Sequence, residues 1–187
     1  MRFYSTKGNT ISVGFKDALF HGLAPDGGLY MPETIPHLGT DYFKSDLSFP
    51  ELATGMIHPF TKDDLTHAQL TDICELAFDF PLRIKELNET DSVLELFHGP
   101  TFAFKDFAAR FMARTMSYFL ENKDNELTIL VSTSGDTGSA VANGFFNVEG
   151  INVIIPYPSN RVSTIQEKHL TTLGGNITAL EIDGSFD

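Results

Sequence analysis

Lys105 stands in "HGPTFAFKDFAARF", residues 98–111, just after a glycine–proline turn and among phenylalanines and alanines. The spacing predicts a helix from about residue 103 to 121, with Phe104, Phe107, Ala108, Phe111, Thr115 and Phe119 on one packed face. Lys105 then falls one residue off that face, in the first turn. There the orphan backbone N–H groups and the helix dipole both oppose a cation, and aromatic neighbours withdraw water from it. A neutral amine can attack a carbonyl carbon, so the position suits Schiff-base chemistry. The plainer alternative is a lysine whose stem lies on apolar surface while its head reaches Asp106 or another acid. On these residues alone both remain open.

A second stretch with chemical potential is "LVSTSGDTGSAVA", residues 130–142: a buried strand, a Ser/Thr/Gly cluster, then a helix. Asp136 or Thr137 is the expected helix cap, and Gly135 and Gly138 would let the backbone turn and approach a ligand closely. Free N–H groups at the helix start, with the hydroxyls of Ser132, Thr133, Ser134 and Thr137, could cradle an anion. The spacing is not that of a Walker A loop or a dinucleotide fingerprint. Asp136 would itself repel a carboxylate, and a capped helix after a tight turn accounts for the same residues without a ligand. "LGGNI", residues 173–177, imitates a phosphate loop but lies between a helix and a strand, where a C-terminal cap is the better reading.

Other reactive residues offer less. Cys74, the single cysteine, sits in "TDICELAF" and reads as a buried structural thiol. His98 precedes the lysine loop and either orients it or packs. His21, His37, His58, His67 and His169 show no shared metal-ligand spacing, so no metal site is expected.

The elements that must position these groups change character near residue 90. Before it, "GLAPDGGLYMPETIPHLG" (22–39) is turn-rich and expected to be mostly irregular. Helices are expected over 12–23, stopping at Gly22, over 49–60, ended by Pro59, and over 66–78, where Leu70, Ile73, Cys74 and Ala77 follow helical spacing. After it, strands at 92–97, 127–132, 151–156 and 177–183 alternate with helices at 103–121, 136–147 and 159–173. That alternation predicts an α/β fold with a parallel sheet and flanking helices, and the nearly continuous apolar strands suggest that both faces are covered. Ligands of such sheets bind beyond the carboxyl ends of the strands, which is where Lys105 and the glycine cluster fall.

Bulk properties remove other classes. A formal net charge of −12 argues against a nucleic-acid partner, since phosphate binding needs clustered cations. No stretch approaches the length needed to span a bilayer, and the N-terminus lacks a signal-like apolar region, so a cytoplasmic protein is expected.

Three segments together resemble the threonine synthases, pyridoxal-phosphate enzymes of the tryptophan-synthase-β-like fold. They are "YSTKG" with "GLAPDGGLYMPE", "ELFHGPTFAFKDFAARF" and "STSGDTGSAVA", and the likeness runs on to "LEIDGSFD" at the end. The division already read from the pattern, a mainly helical N-terminal region, residues 1–90, and an α/β region, 91–187, then places the cofactor lysine in the second. It implies that Lys105 forms the internal aldimine with pyridoxal phosphate and that Asp136 lies against the cofactor. Ser134, Gly135, Asp136, Thr137 and Gly138 would cradle the substrate carboxylate, with Thr101 and Asp106 as positioning residues. The implied reaction converts O-phospho-L-homoserine and water to L-threonine and phosphate by β,γ-elimination and hydration. The family's loop for the cofactor phosphate and its hydroxyl facing the pyridine nitrogen lie C-terminal to anything in these residues. The chain is therefore expected to be an incomplete, N-terminal portion with little activity of its own. The alternatives are a threonine dehydratase-like lyase, which the N-terminal segment disfavours, and a non-catalytic α/β binding module.

Overall fold

Turn chemistry and helix caps shape each part of the chain. The computed structural model describes residues 1–44, 46–121, 126–133 and 135–184, and its contacts fall into two units, Met1–Leu76 and Ala77–Asp187. Residue 90, where composition changes, lies in a hairpin turn of the second unit.

In the first unit the turn-rich stretch supplies a strand. β1 (Phe3–Ser5) pairs antiparallel with β2 (Tyr30–Pro32), Phe3 opposite Pro32. The two N-terminal motif segments meet at the end of this ribbon. The Asp26 carboxylate accepts from the Ser5 hydroxyl at 2.6 Å, from Gly28 N at 3.0 Å and from Asn9 N at 3.1 Å. The Ser5 bond, then the Gly28 N–H, hold the Asp26 carboxyl below its ordinary range. Gly28 has no space for a side chain: an added Cβ would lie 2.1 Å from Ser5 Oγ and 2.9 Å from Lys7 N.

Among the described residues this unit also holds three α-helices, the first lying between β1 and β2. α1 (Phe15–His21) stops at Gly22, whose φ of 68° is left-handed. α2 (Phe49–Thr61) opens with a capping box between Ser48 and Glu51. Pro59 lies inside α2, not at its end; two residues from the terminus, it costs only one intrahelical bond. α3 (His67–Ala77) buries Leu70, Ile73, Cys74 and Ala77, the stripe its spacing predicts. Burial pushes the Cys74 thiol up, as befits a structural, unreactive cysteine.

The second unit corrects one strand assignment. β4 (Ser92–Glu95) is not part of the parallel sheet; it pairs antiparallel with β3 (Arg83–Glu86). The intervening turn explains why. Asn88 Oδ1 accepts from Thr90 N, Thr90 Oγ1 and Asp91 N at 2.9–3.0 Å, an Asx turn that closes a local hairpin. The parallel sheet has the order β5 (Leu127–Leu130), β6 (Ile151–Pro158), β7 (Ile177–Ile182). Its crossovers are α5 (Asp136–Phe145) and α6 (Thr164–Thr171), and α4 (Lys105–Leu120) packs on α5.

Among the described residues, one face of the sheet is buried and the other is more open. Ile151, Val153, Ile155 and Tyr157 are buried. The register places Leu130, Ile154, Pro156, Leu180 and Ile182 on the opposite face, where Leu130 is 69% exposed. The apolar runs that suggested two covered faces thus include residues left open here.

The buried face of α4 overlaps only in part with the one its aromatics suggested, sharing Thr115 and Phe119. The buried residues are Asp106, Ala109, Arg110, Ala113, Thr115, Met116 and Phe119, while Phe104 is exposed and Phe107 and Phe111 are half-buried. Small residues decide this. A Cβ added to Gly144 of α5 would come within 3.1 Å of the Ala109 carbonyl carbon, so the two backbones approach closely. The buried Arg110 is satisfied by Ala77 O at 2.8 Å and by Asp79 at 2.6 Å.

Candidate functional site

The lysine loop is held by one buried carboxylate. Residues 99–104 form consecutive turns, with Phe102 N donating to Gly99 O and Asp106 N to Ala103 O. Asp106 is fully buried and accepts from Thr101 N at 2.9 Å and from Thr101 Oγ1 at 2.5 Å. Its place in the first turn of α4 favours a negative charge. Gly99 makes room for this clamp: a Cβ there would lie 2.4 Å from Asp106 Oδ2. Phe102 takes a φ of 61°, costly for an aromatic residue, and is 72% exposed.

Lys105 opens α4 beside this clamp. It is half-buried, and its Nζ lies 4.6 Å from the centroid of the exposed Phe104 ring, a cation–π distance. His98 Nε2 meets Glu95 Oε2 at 2.6 Å, so its partner is the end of β4. Thr101 and Asp106 are brought together, and together they fix the turn that delivers Lys105.

The glycine cluster is organised differently from expectation. The cap of α5 is neither Asp136 nor Thr137. Thr133, 2% exposed, accepts through Oγ1 from Gly135 N at 3.1 Å and Gly138 N at 3.0 Å. Its hydroxyl therefore faces the helix end, not outward as part of an anion cradle. The reason is steric as well as polar, since a Cβ on Gly138 would lie 2.2 Å from Thr133 Cγ2. Gly138 thus serves this cap, and Gly135, with φ of 167°, is simply extended. Ser134 lies outside the described residues.

Asp136 and Thr137 are exposed in the first turn, and no described residue accepts from their N–H groups. Ser139 is 3% exposed, and its hydroxyl has no hydrogen-bond partner among the described residues. Asp136 Oδ1 accepts from Gln166 Nε2 of α6 at 2.8 Å. Sequence reasoning missed Gln166 and the capping role of Thr133. The S-x-x-Q spacing of Ser163 and Gln166 marks a capping box and was the available signal. Nothing in spacing could reveal the contact to Asp136, thirty residues away.

Lys105 and the glycine cluster thus occupy the N-terminal ends of two helices packed on each other, in an α/β unit of pyridoxal-phosphate-enzyme type. Residues 2–78 match the family model described as the threonine synthase N terminus. The whole chain is similar to threonine synthases and corresponds to their N-terminal part. It is 40% identical over 195 residues to the Pseudomonas aeruginosa threonine synthase, covering 100% of this chain and 42% of that one. With the Haemophilus influenzae threonine synthase the identity is 41% over 187 residues, covering 100% and 44%. Among solved structures, a pyridoxal-phosphate-bound threonine synthase from Brucella melitensis superposes with a TM-score of 0.93 at 36% identity, covering 100% and 42%. The Escherichia coli threonine synthase gives 0.88 at 37%, covering 100% and 44%. The chain therefore spans less than half the length of these relatives.

Proposed function

We propose that this chain carries the lysine-bearing part of a threonine synthase, which converts O-phospho-L-homoserine and water to L-threonine and phosphate. The observation that carries the reading is the Asp106–Thr101 clamp, which sets a half-buried amine at the start of α4. Lys105 fits pyridoxal phosphate, being an amine suited to its aldehyde, and the helix-start N–H groups at Asp136 and Thr137, not accepted by any described residue, fit the substrate carboxylate. When bound, the cofactor supplies an electron sink for the elimination and hydration. Lys105 Nζ binds it and moves protons between substrate carbons. The turn of Gly135, Asp136, Thr137 and Gly138, with Ser134, would receive the substrate carboxylate, and Asp136 would help to hold the cofactor. Thr101 and Asp106 act through Lys105 as positioning residues.

The same reading assigns residues 1–90 to a supporting N-terminal region and 91–187 to the catalytic α/β part, in a cytoplasmic enzyme. No helix among the described residues is long and apolar enough to cross a membrane. It further holds that residues 1–187 alone bind the cofactor weakly and turn over little or not at all.

The test is product analysis. The chain alone, and the chain joined to the C-terminal remainder of the P. aeruginosa threonine synthase, are given pyridoxal phosphate with O-phospho-L-homoserine or with L-threonine. Threonine and phosphate are expected from the joined protein, falling about 10²–10⁴-fold in Lys105→Ala. A 2-oxo acid formed from threonine would replace the reading with a dehydratase. Substantial threonine from residues 1–187 alone would overturn the expectation that they turn over little.

A further inference from the structure

We infer that Gln166 is a positioning residue that fixes the carboxylate of Asp136; its functional meaning rests on the role proposed for Asp136 above. Gln166 lies in the first turn of α6, and both ends of its amide are used. Oε1 accepts from Ser163 N at 3.2 Å and from Ser163 Oγ at 3.0 Å. A backbone N–H can only donate, so the carbonyl end must face Ser163 and the NH₂ end must face Asp136. The Nε2 to Asp136 Oδ1 distance is 2.8 Å. A Cβ on Gly135 would lie 2.8 Å from that same Nε2, so a residue with no side chain precedes Asp136 where the amide crosses the turn. Ser163 orients Gln166, and Gln166 orients Asp136. This linkage ties the starts of two successive crossover helices and turns the Asp136 carboxylate toward α6.

The arrangement also answers how an acidic residue can sit in a turn meant for an anion. A hydrogen bond from a neutral amide draws the charge of Asp136 to one side. The N–H groups of Asp136 and Thr137 are then left to face an incoming anion.

Gln166→Glu separates this role from simple helix capping. Glutamate preserves the Ser163 capping box but offers no donor to Asp136 and adds a facing negative charge. In hydrogen exchange on the 187-residue chain, amides of residues 138–142 are expected to exchange about tenfold faster in Gln166→Glu. Those of residues 167–171 should stay as in wild type. The double variant Asp136→Asn, Gln166→Glu reverses donor and acceptor and should restore protection. Unchanged exchange in Gln166→Glu, or no recovery in the double variant, would reduce Gln166 to a cap and overturn the inference.

Pyridoxal phosphate capture at Lys105, followed by borohydride reduction, is read in parallel. Gln166→Glu should need a higher cofactor concentration for half-labelling, and equal half-labelling would overturn the functional part. A wild-type chain that takes no cofactor would count against the proposed function, while the exchange data would still decide the hold of Gln166 on Asp136.

Discussion

Replacing Asp106 with alanine is expected to destabilise the chain by about 3 kcal/mol, the scale for deleting a buried, hydrogen-bonded charged acceptor. The carboxylate is fully buried and accepts from both the Thr101 N–H and the Thr101 hydroxyl. Its removal leaves those groups without their acceptor and opens a void against Gly99, whose backbone packs on the carboxylate. The turn that places Lys105 then loses its anchor. Asp106→Asn should cost only about 1 kcal/mol, because the amide oxygen can still accept from Thr101 N while its NH₂ donates to the rotated Thr101 hydroxyl. Urea unfolding gives both values. Capture of pyridoxal phosphate at Lys105 should fall steeply in Asp106→Ala and modestly in Asp106→Asn. Equal stability of the two variants would show that the two bonds to Thr101 do not hold the loop.

Gly138→Ala is expected to be nearly as damaging, at about 2–3 kcal/mol, although alanine is ordinarily the better helix residue. The new methyl would lie 2.2 Å from Thr133 Cγ2 and 2.8 Å from Thr133 Cβ. Thr133 must then move, and it takes with it the oxygen that accepts from Gly135 N and Gly138 N. The combination Gly138→Ala with Thr133→Ser removes the closest clashing carbon while keeping the hydroxyl, so it should recover about half of the loss. Thermal or urea denaturation of the single and double variants tests this. If Gly138→Ala melts as wild type does, the glycine is not required by the cap.

What could be read from the sequence were features carried by neighbours in the chain. Leu70, Ile73, Cys74 and Ala77 announce the buried stripe of α3 because a helix repeats on itself. The apolar runs of β5, β6 and β7 announce the parallel sheet, and the break after Pro100 announces a helix that begins at Lys105. What could not be read depends on partners far along the chain. The aromatics of α4 outrank Ala109 and Ala113 in hydrophobicity, yet the small residues face inward because α5 comes close enough to need them there. Hairpin pairing of β4 with β3 follows from three bonds to one asparagine oxygen, which a reading for strand-helix alternation passes over.

The candidate site divides the same way. Lys105, Thr101 and Asp106 lie within one turn of each other, so their association is visible in a fourteen-residue motif. Ser5 and Asp26 are also motif residues, but their hydrogen bond, twenty-one positions apart, shows that the N-terminal signature supports structure. Thr133 looked like a ligand-facing hydroxyl because hydroxyls beside glycines often are. Its exposure of only 2% and its two N–H partners assign it to the helix end.

The central claim is that Lys105 is the amine that takes an aldehyde cofactor. It is tested most directly by adding sub-millimolar pyridoxal phosphate to the chain, reducing with borohydride and mapping the pyridoxyl group by peptide mass spectrometry. Labelling concentrated on Lys105 at the lowest cofactor concentrations, and lost at that position without gain elsewhere in Lys105→Ala, is the expected result. Label spread evenly over exposed lysines such as Lys7 and Lys168, with Lys105 no more reactive than they are, would contradict it.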